Sequence, residues 1–149
     1  MIAKPTTEQI LLDCCRELAE VVLPAIPDET VKVTVMMLDL VLRNAAVRAA
    51  HEIAWMTDEI EELQAYVRDA RPGGPPAPDT DAAAGGGAGT LHLDDVVEAY
   101  RRASEAFSAT VEAAVAAGDE RLVSRATEVL DRRIEHETEV MSGWSPIGR

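Results

Sequence analysis

From Asp28 to Arg71 the chain runs 44 residues without a glycine or a proline. The stretch that follows, Pro72 to Thr90, holds six of the nine glycines and four of the eight prolines. Glycine and proline are the residues that interrupt helices, so this contrast predicts one very long helix followed by a connector. An unbroken helix of that length measures about 65 Å. A compact domain of this size has a radius of gyration of only about 15 Å. Either the helix bends, then, or a second subunit covers the surplus.

Four helices are expected, and the fold class is all-α: an antiparallel four-helix bundle in one domain, with an unusually long second helix. The first helix covers about 7–23. Thr6 and Gln9 have the spacing of a capping box, Ile10, Leu11, Cys14, Leu18, Val21 and Val22 recur with helical period, and Pro24 ends it. The second covers about 29–70, capped by Asp28. The third runs 93–117 and the fourth 119–141, with Gly118-Asp119 between them as stop and cap. Residues 72–90 read as a flexible Pro/Gly/Ala linker, and the tail around Trp144 docks or frays.

The second helix changes character along its length. Val31 to Leu42 is apolar nearly all round, and its β-branched start also fits a short strand. Beyond it a narrower stripe takes over, Leu42, Ala46, Ala49, Ile53, Met56, Ile60, Leu63, Val67 and Ala70, in alternating steps of four and three. That is the spacing of a left-handed coiled-coil seam. It predicts a homodimer with Ile53, Met56, Ile60 and Leu63 between the subunits.

Composition narrows the functions available. Net charge is −13 and only five residues are aromatic. Such a chain has no basic surface to neutralise phosphates and few rings for bases to stack on, which argues against nucleic acid. The acidic balance also disfavours anionic membrane surfaces, and no apolar run has the length of a membrane span. The first residues lack a signal-peptide layout. The two cysteines, Cys14 and Cys15, are neighbours on a helix and read as small apolar residues rather than a disulfide or metal pair. Cytoplasm is the expected compartment. Arginine outnumbers lysine twelve to two, in keeping with a bacterial coding bias.

The opening Pro5-Thr6, with Ile10-Leu11, Arg16-Glu17-Leu18, Val22-Leu23-Pro24-Ala25 and the later Val41-Leu42-Arg43, resembles a small uncharacterised bacterial helical family. Genes of that family often lie beside genes for phosphotransferase-like enzymes and acyl-CoA dehydrogenases. The resemblance covers the first half of the chain and brings no catalytic residues. It implies an accessory partner of a phosphotransferase-like enzyme.

Polar residues concentrate on the second helix. Arg48, Glu52 and Trp55 share a face, with His51 alongside. Together with His136 on the fourth helix they could hold an anionic metabolite, as a binding or enzymatic site between helices two and four. The structural alternative is an i,i+4 ion pair of Arg48 with Glu52 and a histidine at a helix interface. No metal or other cofactor is expected: a di-metal bundle site needs glutamate three residues before each histidine, where Arg48 and Arg133 stand. The acidic runs Asp58 to Glu62 and Glu135 to Glu139 read as solvated faces. No phosphate-binding loop or nucleophile elbow occurs. The expected function is a non-catalytic interaction or accessory protein.

Overall fold

Thr6 starts the first helix as its spacing predicts. Its backbone is extended, its Oγ1 accepts from the Gln9 N–H at 3.2 Å, and Gln9 Oε1 accepts from the Thr6 N–H at 3.0 Å. Two amides that no helical carbonyl could reach are thereby satisfied. This helix, α1, spans Thr7–Glu17. The computed structural model describes residues 4–70 and 90–141. The expected linker, apart from Thr90, and the tail around Trp144 lie outside those residues.

Pro24 does not end the first helix. The helix widens to a π turn over Leu18–Val22 and closes in a last turn, Leu23–Ala25, that contains the proline. A proline inside a helix removes one N–H and presses its ring on the carbonyl four residues earlier. Widening the turn just before the ring is one way a helix relieves that pressure. The exit comes at Ile26, whose ψ of 121° is extended. Ile26 precedes Pro27, and a residue before proline is driven out of the helical region.

Asp28 caps the second helix, accepting from the N–H groups of Thr30 at 2.8 Å and Val31 at 3.2 Å. This helix, α2, runs Glu29–Asp69, so residues 31–35 are helical and the strand alternative is removed. Helix α3 spans Leu93–Ala117 and α4 spans Glu120–Met141. Gly118 joins them in the left-handed conformation (φ 67°, ψ 27°), where an L side chain is strained. Its N–H reaches back to Ala114 and Val115, and Asp119 Oδ1 caps α4 through the Leu122 N–H at 3.0 Å. The chain is all-α, and no strand occurs among the described residues.

The chain divides into two compact units, Ile53–Glu135 and Met1–Glu52 with His136–Arg149. The first of these holds the larger core. Ile60, Leu63, Tyr66 and Val67 of α2 meet Val96, Ala99, Ala103 and Phe107 of α3 and Leu122, Ala126 and Val129 of α4. Small residues on α3 let the helix axes approach, and the Phe107 ring lies edge-on to Tyr66 with centroids 4.9 Å apart.

This core corrects the expected dimer seam. Ile60 and Leu63 are 2% and 0% exposed within one chain, and Ile53 and Met56 pack against the same core. From Ile53 onward the four-three stripe is covered by α3 and α4 of the same chain. The period of a stripe states that a partner helix exists; it does not state which chain supplies it.

In the other unit only two described side chains are buried, Cys15 of α1 and Ala46 of α2. Ile10, Val21, Val33, Met37, Leu38 and Val41 are among its large apolar residues left open, Val41 at 60% exposure. No described helix is long and apolar enough to cross a membrane.

Candidate functional site

Glu59 is the one charged residue buried in the chain's described core, at 7% exposure. It stands on α2 one position before Ile60, so helical rotation carries its side chain to the edge of the apolar stripe. A carboxylate so placed needs partners, because burying an isolated charge is costly. Two helices supply them. The Tyr100 hydroxyl of α3 donates to Glu59 Oε2 at 2.6 Å, and Arg133 Nε of α4 lies 3.3 Å from the same oxygen. The Arg133 guanidinium also covers the Tyr100 ring, 5.2 Å from its centroid. The sequence reading of Asp58 to Glu62 as a solvated face is therefore corrected at Glu59. It is corrected in part at Glu62, which pairs with Arg132 Nε at 2.9 Å. Asp69 and Arg125 form a further pair at 3.4 Å.

Burial pushes the Tyr100 phenol up to about 12, with the Glu59 hydrogen bond and charge adding to it and Arg133 opposing. Such a phenol keeps its proton near neutral pH and cannot cycle as an acid–base group there. The cluster ties α2, α3 and α4 together at one level. Tyr66 behaves alike: its hydroxyl donates to the Leu122 carbonyl at 3.2 Å, and burial raises its pKa, with Asp119 adding and Arg121 opposing.

These two are the chain's only tyrosines, which makes the shift directly readable. Both folded-state values lie above the unfolded value of about 10. The folded protein thus holds these protons more tightly. The stability they contribute is complete below about pH 10 and is lost as pH rises through the folded values, about 12 for Tyr100. Tyrosinate absorbance at pH 10 is expected to stay below half of its full value, with the Tyr100 share rising only near 12 or on alkaline unfolding. Half-ionisation at pH 10 with helicity intact would contradict the arrangement.

Of the residues singled out on the second helix, Arg48 and Glu52 are brought together as an ion pair, with Arg48 Nε 3.0 Å from Glu52 Oε1. The guanidinium is engaged by its own helix. His51 is exposed; Trp55 and His136 are half-buried. Trp55 belongs to the unit Ile53–Glu135, the other four to the unit that contains the chain's start. Arg133, three residues before His136, and its neighbour Arg132 pair with carboxylates of α2. No group of three His, Cys, Asp or Glu able to hold a metal ion occurs among the described residues.

The cysteines differ in setting. Cys14 is exposed and Cys15 buried. The Cys15 thiol donates to the Asp39 carbonyl across 3.6 Å, while the Asp39 carboxylate binds Arg43 through two hydrogen bonds, at 2.8 and 3.2 Å. Burial, with Asp39 adding, pushes the Cys15 thiol up. The neutral thiol is the form this site favours, which is the opposite of an activated nucleophile.

The Glu59 cluster was hidden from sequence reasoning because its members are far apart in the chain. One signal existed: the aromatic ring at Tyr100 and the arginine pair at 132–133 both fall on helix faces next to apolar stripes. No known protein family, curated protein or solved structure matches the chain.

Proposed function

We propose that this chain is a non-catalytic helical interaction protein that works as a homodimer, an accessory subunit in the cytoplasm with its four helices in an antiparallel bundle. The observation that carries the reading is the open apolar surface of the unit built on α1 and the first half of α2. Two buried side chains are too few to hold a helical pair on their own, and large exposed apolar patches on a folded chain mark sites of association. The antiparallel arrangement draws support from the ion pairs Glu59–Arg133, Glu62–Arg132 and Asp69–Arg125, whose order ascends on α2 as it descends on α4. The resemblance to the bacterial helical family favours a phosphotransferase-like enzyme as a further partner. Pairing of Arg48 with Glu52 weighs against a role for that arginine in holding an anionic metabolite.

Sedimentation velocity tests the central claim. At micromolar concentration the expected species has twice the mass of the 16.0 kDa chain. A folded, stable monomer over that range would overturn the reading.

A further inference from the structure

We infer that a second copy of this chain covers the uncharged face of α2 formed by Val31, Thr34, Leu38, Val41 and Ala45. This rests on the homodimer reading above and names its surface. The five positions step by three, four, three and four residues, the repeat with which one helix seats on another. At 100° per residue they lie within an arc of about 80°. The arc is open in the single chain: Val31, Leu38 and Val41 are 46%, 51% and 60% exposed. Val33 and Met37, each about half exposed, widen it along one edge. α1 meets α2 elsewhere. The Cys15 thiol donates to the Asp39 carbonyl, and the buried Ala46 lies about 100° round the helix from the middle of the row.

The face carries no charge. Between residues 29 and 47 the charged side chains of α2 are Glu29, Lys32, Asp39 and Arg43, and all four fall on the opposite side of the helix, paired as Glu29 with Lys32 and Asp39 with Arg43. A chain in which 28% of residues are charged thus leaves about four turns of open helix without one. Thr34 is the one polar side chain in the row. Its hydroxyl donates to the Thr30 carbonyl at 3.2 Å, so covering the face strands no donor there. Beyond Ala45 the row runs into Arg48 and Glu52, which neutralise each other.

Charge also selects the occupant. A basic or acidic protein finds nothing on this face to pair with, and complementary charge is what steers and selects such a partner. An anionic membrane surface is held by a helix whose polar side is rich in lysine and arginine. Here that side sets two acids against two bases, in a chain of net charge −13 that such a surface repels. A second copy brings the same uncharged row. Two molecules of this charge repel wherever their acidic surfaces approach, and along this face they meet with no like charges opposed. Contact of one patch with itself is the self-complementary twofold arrangement commonest among soluble oligomers.

Thiol labelling of the full chain tests this, in a Cys14→Ser background that leaves Cys15, shielded at 1% exposure. Leu38→Cys and Val41→Cys change open positions, so the fold of the single chain does not rest on them. Their reaction with a maleimide is followed as protein concentration rises, with sedimentation velocity on the same samples. Val115→Cys, exposed on α3, is the control, and Val21→Cys reports on the open side of α1. Where the chain sediments as a dimer, labelling at 38 and 41 is expected to slow by at least about tenfold relative to dilute monomer, as mass action fills the face. Position 115 should keep its rate. A dimer that leaves 38 and 41 as reactive as in dilute monomer, whether or not 21 is protected, would overturn this face and leave the homodimer standing. Slow labelling at 38 and 41 in samples that sediment as monomer would mean that the chain covers its own face, and would overturn the inference. Fast labelling at every position in a chain that stays monomeric would overturn both.

Discussion

Replacing Ile60 by aspartate is expected to unfold the unit Ile53–Glu135, not merely to separate subunits. Ile60 is 2% exposed and lies among Leu63, Val96 and Ala99, with no polar atom of its own to share. An aspartate there must lose its hydration without a counter-ion, adjacent in sequence to Glu59, a carboxylate whose partners Tyr100 and Arg133 are already committed. Substitutions of this kind stand in the tail of measured effects, above about 4 kcal/mol. Whole domains hold only about 5–15 kcal/mol. Circular dichroism melts should show helicity lost at room temperature or a transition displaced far downward. Full helicity with a halved mass would place Ile60 between subunits after all and refute the core described above.

Phe107→Ala carries the second large effect. Phe107 is 4% exposed and meets Tyr66 at an interplanar angle of 61°. Truncation removes its apolar area and leaves a cavity between α2 and α3 that the buried Tyr66 hydroxyl, held by the Leu122 carbonyl, cannot swing to fill. Loss of a buried phenylalanine side chain costs about 3–5 kcal/mol. Val115→Ala is the control, because Val115 stands on the same helix but is 60% exposed, and surface changes stay within about 0.5 kcal/mol. Urea unfolding should separate the two variants clearly. Equal midpoints would mean that α3 presents a different face to the core.

The contrast between these two residues marks where sequence reading stopped. Phe107 and Val115 belong to the same apolar face by periodicity, yet one is core and the other surface. Helical spacing reports direction around an axis, and the depth of cover at each level depends on which helix lies opposite. The stripe from Leu42 to Ala70 poses the same question at larger scale. Its four-three steps are legible, while the assignment of its Ile53–Leu63 part to a subunit boundary fails because α3 and α4 reach that part first. Pro24 misleads for a different reason: its ring is accommodated by a local π turn that no residue pattern announces.

Local signals were determined by the sequence alone. The Thr6–Gln9 capping box, the Asp28 cap, the left-handed Gly118 and the Asp119 cap all appear where their residue types require them. Each is a contact between residues at most four apart, so the chain specifies it without reference to anything distant. The all-helical class follows from the same level, from 44 residues without a breaker and from apolar periods near 3.6. Tertiary structure alone decided which carboxylate in Asp58 to Glu62 is buried, because that depends on Tyr100 and Arg133 arriving from two other helices. It also decided which side of α2 the chain covers itself and which side it leaves open. A helix offers its whole circumference, and only packing against the rest of the chain divides it.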